Sequence, residues 1–310
     1  MRALLALACC LFAAAAAGAQ DGLAPLGMEE IAPGVYVHTG RVELAGPENE
    51  GDIANLGFVV GGESVAVIDT GNSLPVGEAL LAAVRSVTAL PVRYVINTHM
   101  HPDHVLGNAA FRTGGTDGAA PTVIGHAKLP EALAVRAEHY LASARRDLGE
   151  AAAGLEIVLP TQTVAEETRL DLGGRTLLLH AWPTAHTNND LTVLDETTGT
   201  LFAGDLAFLD HIPALDGSLL GWLGVMDALA ALPASRAVPG HGPASAPWPD
   251  ALEPQRAYLE ALAAEVRAKI AAGETLSEAV EESEAPQGWR LGDDFHRRNV
   301  TTAFAQLEWE

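Results

Sequence analysis

Residues 97–104 read Asn97-Thr98-His99-Met100-His101-Pro102-Asp103-His104, three imidazoles and a carboxylate within six residues. They continue from Val92–Asn97, whose Val92, Val95 and Ile96 make it read as a buried strand. Alternate residues of an extended chain point the same way, so His99 and His101 can grip one ion. Pro102 forces a turn that sends Asp103 and His104 towards a second.

Working outward, the N-terminal side reads as short strands at Val35–His38, Asn55–Val60 and Ser64–Asp69, with Gly61-Gly62 as a hairpin turn. A helix is predicted over Ser73–Val87, from the spacing of Val76, Leu80 and Val84 with Pro75 in the first turn. Beyond the histidine loop, Pro121–Ile124 reads as a strand and Leu129–Leu148 as an Ala-rich helix. Strands at Thr176–His180, Leu191–Leu194, Leu201–Ala203 and Ala237-Val238 follow, with helices at Val225–Leu232 and around Leu259, Leu262, Val266 and Ile270, closing at Gly273. This alternation in two halves predicts one layered α/β domain over residues 20–310, with a helical segment from about residue 250.

Three further candidate ligands each sit just after a predicted strand: His186 in Thr184-Ala185-His186-Thr187, Asp205 in Ala203-Gly204-Asp205, and His241 in Pro239-Gly240-His241-Gly242. Strand ends converge on one edge of a sheet. Asp69 ends the run Val65-Ala66-Val67-Ile68-Asp69, where by itself it reads as a turn former before Gly71. Phe208, His211, Leu219 and Trp222 are placed to line a pocket if their segment folds over the metal edge. The remaining histidines, His38, His126, His139, His180 and His296, lack ligand-type neighbours at useful spacing.

The order HxHxDH, His, Asp, His resembles the metallo-β-lactamase superfamily, with all seven positions filled between about Gly34 and Gly242. The resemblance implies a four-layer αβ/βα sandwich with two zinc ions at one edge. It implies that His99, His101 and His186 hold the first zinc, that Asp103, His104 and His241 hold the second, and that Asp205 bridges them. It also implies that Asp69 orients the ligand loop. The segment Ala185-His186-Thr187-Asn188-Asn189-Asp190 departs from the Gly-His-Thr-Pro-Gly-Ser of many members, and the 36 residues from Asp205 to His241 are too few for the inserted domain of nucleic-acid-processing relatives. The stretches NTHMHPDHVLGNAAF, IPALDGSLLGW, VPGHGP and RRNVTTAFAQLEWE look like the quinoprotein relay system zinc metallohydrolases, exported bacterial proteins associated with quinone-cofactor dehydrogenases.

Composition sets the rest. The chain has 310 residues, 18 Lys and Arg against 40 Asp and Glu, and a formal charge of −22, which repels phosphate backbones and anionic lipid. Residues 1–19 read as a secretory signal with cleavage after Ala19, which predicts a periplasmic or secreted protein without a stable membrane anchor. Both cysteines, Cys9 and Cys10, fall inside it, so any transition-metal site must use His and carboxylate; that set suits zinc and tolerates iron or manganese. The lack of thiolate excludes the β-lactamase class that uses one.

Two zinc ions would make hydroxide available at neutral pH, and Asp103 would orient it against the carbonyl of a small ester, thioester, amide or lactam. Three other readings compete: a β-lactamase with all-His/Asp ligands, a mononuclear iron persulfide dioxygenase, and a non-catalytic metal-binding assembly factor for a periplasmic quinoprotein dehydrogenase.

Overall fold

A run such as Val65-Ala66-Val67-Ile68, buried at every position, has no polar face to turn to water and must be covered on both sides. The computed structural model, which describes residues 24–112 and 119–310, meets that demand with two sheets packed face to face. The expected signal segment lies outside the described residues.

The first sheet runs in the order β1 (Glu29–Ala32), β2 (Val35–His38), β3 (Leu56–Val60), β4 (Val65–Ile68), β5 (Val92–Ile96), β6 (Thr122–His126) and β7 (Gln162–Val164). It is antiparallel as far as β4 and parallel from there. α1 (Leu74–Val87) makes the crossover from β4 to β5, the short α2 (Pro102–Val105) caps β5, and α3 (Leu129–Leu148) links β6 to β7. The second sheet is built from β8 (Glu167–Asp171), β9 (Thr176–Ala181), β10 (Leu191–Asp195), β11 (Thr200–Phe208), β12 (Arg236–His241) and β13 (Ala246–Pro247), in the order β13-β12-β11-β10-β9-β8. α4 (Leu219–Ala230) carries the chain from β11 to its parallel neighbour β12. α5 (Glu253–Ala272), α6 (Leu276–Glu282) and α7 (Gly292–Leu307) finish it.

The core divides by face. Val35, Val59, Ile68 and Ile96 of the first sheet meet Leu177, Leu179, Val193 and Phe202 of the second. On the first sheet's other face, Phe58, Val67 and Val95 receive Val76, Leu80 and Val84 of α1. On the second sheet's other face, Leu201, Ala203 and Ala237 are covered by Trp222 of α4, Leu259 and Leu262 of α5, and Val300 of α7. The result is the expected four-layer αβ/βα sandwich. Buried Arg175 ties the sheets together, bonding Asp195 through Nε at 3.0 Å and Nη2 at 2.6 Å while Nη1 donates to the Pro33 and Val60 carbonyls at 2.9 and 3.0 Å.

Some expected bounds move. α4 begins at Leu219 rather than Val225, because the Ser218 hydroxyl accepts from the Gly221 N–H at 3.0 Å and starts the helix despite two glycines in its first half. β11 continues to Phe208, well past Ala203, along its parallel partner β12. The supposed loop 98–104 turns helical at Pro102, the N1 position where a missing N–H costs nothing.

Candidate metal centre

Asp69 sits at the end of β4 with φ of 56°, a conformation that Asp and Asn tolerate better than other side-chain-bearing residues. That twist aims its carboxylate at the histidine loop. Oδ1 accepts from the Thr98 N–H at 2.8 Å, and Oδ2 accepts from the Thr98 hydroxyl at 2.7 Å and from His104 Nδ1 at 2.8 Å. The Thr98 hydroxyl in turn accepts from His99 Nδ1 at 3.0 Å. Behind the loop, the His104 carbonyl accepts from Thr70 N and Asn97 Nδ2 at 3.0 and 3.1 Å, and Asn97 and Asn108 pair through both amides.

Every candidate histidine is fixed by one ring nitrogen. His186 Nδ1 donates to the Ala214 carbonyl at 2.6 Å, His241 Nδ1 to the Ile53 carbonyl at 2.8 Å, and His101 Nε2 to Asp216 Oδ2 at 3.2 Å. Such bonds set the tautomer and leave the other nitrogen's lone pair free. In the first group His101 Nδ1 lies 3.1 Å from both His99 Nε2 and His186 Nε2, and Asp205 Oδ2 is 3.3 Å from His186 Nε2. A tetrahedral ion with metal–nitrogen bonds near 2.0–2.1 Å spaces its donors about 3.3–3.4 Å apart. In the second group, Asp103 Oδ2 is 3.3 Å from His241 Nε2 and 3.6 Å from His104 Nε2. Asp205 Oδ1 reaches this group as well, 3.2 Å from His104 Nε2.

All seven candidate ligands therefore meet, as a group of His99, His101, His186 and Asp205 beside a group of Asp103, His104 and His241. The first sheet's edge supplies His99, His101, Asp103 and His104; the second sheet's supplies His186, Asp205 and His241. Glycine makes room for the carboxylate between them: a Cβ at Gly240 would lie 1.8 Å from Asp205 Oδ1.

The residues fit divalent ions. His104 Nε2 and Asp205 Oδ1 are buried and have no hydrogen-bond partner despite their 3.2 Å separation. Buried lone pairs facing a buried carboxylate are costly unless cations compensate them. Protons share this role in the metal-free protein. Burial opposes charge on His241, but Asp205 and Asp103 override it and raise the imidazole to about 10. His104 rises against burial for the same reason, with Asp69 adding to the pull. Burial holds His99 well below the usual range and His186 near 4. His99 and His186 are thus proton-poor, and His104 and His241 proton-rich.

A pocket of about 230 Å³ opens on the site, lined beside the ligands by Glu43, Leu44, Ala45, Ile53, Phe208, His211, Ala214 and Phe295. Phe208 and His211 are where the sequence placed them, and burial with nearby His241 pushes His211 down to about 4, so it is neutral. Trp222 and Leu219 are not at the pocket. Both are fully buried, since the early start of α4 turns them into the core, and the Trp222 ring backs His186 with centroids 5.4 Å apart. Sequence reading also missed Asp216, Ala214 and Ile53: Asp216 is an ordinary loop acid in sequence, and the other two act through backbone carbonyls that no side-chain pattern reveals. The His101 bond, helped by Arg136 at 3.3 Å, holds the Asp216 carboxyl down to about 2.

The sequence profile of the Metallo-beta-lactamase superfamily matches residues 49–241. Among curated proteins, a linear primary-alkylsulfatase from Pseudomonas sp. is 37% identical over 49 residues, which cover 16% of this chain and 9% of that enzyme. In fold, a metallo-beta-lactamase from Pontibacter korlensis superposes with a TM-score of 0.60 at 23% identity, over 76% of this chain and 99% of its own. The stereoselective inverting sec-alkylsulfatase from Pseudomonas sp. gives 0.66 at 18% identity, over 91% of this chain and 50% of its own. This chain spans about half of that alkylsulfatase and a small fraction of the curated one.

Proposed function

Because this chain belongs to the metallo-beta-lactamase superfamily, a superfamily of hydrolases, we propose that it is a binuclear zinc hydrolase of an ester, thioester, amide or lactam bond. The observation that supports this most directly is the pair of adjoining donor groups with Asp205 between them. Zinc bound there supplies Lewis acidity and, by lowering the pKa of water to about 7, a nucleophile at neutral pH.

The chain's own residues supply the rest. His99, His101 and His186 would hold one ion, Asp103, His104 and His241 the other, and Asp205 would contact both. Asp103, kept ionised by His104 and His241 despite its burial, offers its carboxylate to orient the attacking water. Leu44, Ile53, Phe208 and Phe295 give an apolar group of the substrate an apolar wall to rest on. Export through residues 1–19 and service to a periplasmic quinoprotein dehydrogenase complete the proposal; they rest on the leader's composition and on the resemblance of the ligand-loop and C-terminal stretches.

The test is metal content per chain, by mass spectrometry on protein purified from the periplasm without added metal, followed by ester, thioester and lactam panels. Two zinc ions and turnover of one panel are expected. A single iron would overturn the hydrolase reading.

A further inference from the structure

We infer that α7, which lies outside the residues matched by the superfamily profile, positions the three-histidine group through segment 213–219; this rests on the metal reading proposed above. The segment has two edges. Its odd-numbered residues bond α7: the Pro213 carbonyl accepts from Asn299 Nδ2 at 2.6 Å, Leu215 N donates to Asn299 Oδ1 at 2.9 Å, the Gly217 carbonyl accepts from Gln306 Nε2 at 3.0 Å, and Leu219 N donates to Gln306 Oε1 at 2.9 Å. Two of the residues between them face the histidines, Ala214 accepting from His186 Nδ1 at 2.6 Å and Asp216 from His101 Nε2 at 3.2 Å, while the Ser218 hydroxyl also bonds Gln306 at 3.4 Å.

Asn299 is 1% exposed and its amide has no spare orientation. Nδ2 also donates to the Tyr258 hydroxyl at 2.8 Å, and that hydroxyl donates to His296 Nδ1 at 3.1 Å. A flipped amide would set donor against donor at Leu215 and acceptor against acceptor at Pro213. The second metal group does not depend on this segment, because its histidines are held by Asp69 and the Ile53 carbonyl. Disturbing Asn299 should therefore loosen one metal and spare the other. Carboxylate and carbonyl partners of metal-bound histidine are commonly worth about 10–100-fold in metal affinity.

The experiment is a competition of Zn²⁺ against a chromophoric chelator for wild type, Asn299→Leu and the milder Gln306→Leu, with visible absorption of the Co²⁺-loaded proteins as a second readout. We expect about tenfold weaker binding in one of the two steps, altered Co²⁺ bands from that site, and an unchanged second step. Adding Asp216→Ala to Asn299→Leu should cost less than the two separate losses together, since both act on one route. A variant that melts earlier but keeps both affinities and the Co²⁺ spectrum would overturn the inference, as would equal weakening of both steps. Wild-type protein that binds no metal would instead refute the proposed function, and the inference with it.

Discussion

Asp69→Asn should weaken the metal group formed by Asp103, His104 and His241 without changing the backbone, because Asn accepts the 56° φ as readily as Asp does. Three donors converge on the Asp69 carboxylate, at 2.7 to 2.8 Å. An amide has one acceptor oxygen. If that oxygen serves the Thr98 N–H, the new NH₂ faces His104 Nδ1, which must give up its proton to accept, and the proton moves to Nε2. His104 then presents an N–H to the ion instead of a lone pair. The opposite amide orientation sets donor against donor at buried Thr98, at a cost of about 1–3 kcal/mol. The first route should lower affinity in that group by about 10–100-fold, or roughly 1.4–2.8 kcal/mol, whereas the second keeps the His104 bond and shows as lost folding stability. Chelator competition resolves the two binding steps, and proton-detected nitrogen shifts of His104 report the tautomer. Two wild-type binding constants, with His104 Nε2 free of its proton in the metal-loaded variant, would refute the reasoning.

The proton-rich second group should release protons as it fills. Calorimetry in buffers of different ionisation enthalpy should show more protons displaced at pH 7 by the metal entering the His104 and His241 group than by the metal entering the other, with tighter binding in that step as pH rises towards 10. In the metal-free protein the raised His241 contributes stability that is full below its unfolded value of about 6.5 and fades as pH climbs towards 10; melting followed by circular dichroism over that window should fall, and a flat profile would contradict the assignment. Arg175→Ala removes the ion-pair partner of the fully buried Asp195, leaving its carboxylate only the Thr197 and Thr198 donors, and should cost about 3 kcal/mol in urea unfolding, with metal stoichiometry intact in the folded fraction. His211→Ala should raise KM more than it lowers kcat, because a neutral wall residue binds substrate without handling its proton; an equal fall in kcat and kcat/KM would place it in the chemistry instead.

The fold was readable wherever periodicity and punctuation agreed. Leu129–Leu148 is bounded by the residues the sequence suggested, and so are β2 and the Gly273 stop of α5, where φ of 79° demands glycine. Reading failed where local signals were weak. The short β7 has one buried residue in three and β8 one in five, so their alternation carries little apolar contrast. α4 opens among glycines that disfavour helix, and only burial against the second sheet decides its start. The convergence of seven donors could be expected from strand ends. Their supports could not: Asn299 and Gln306 lie over eighty residues from the segment they hold, and Ala214 and Ile53 act through atoms that every residue has.

Both donor groups draw on both sheets, and this makes metal uptake a report on folding. The first half of the chain alone offers His99 with His101, or Asp103 with His104; the second alone offers His186 with Asp205, or a solitary His241. Two donors make a weak, exchangeable site, so neither half can retain an ion before the sheets have met. An ion that stays bound joins residues 85 or more positions apart, His101 to His186 and His104 to His241, and closes loops whose entropy the unfolded chain must recover to let go. Chelation should accordingly act on the seam between the sheets, raising hydrogen exchange there while α1 and α5, on the outer faces, keep their protection.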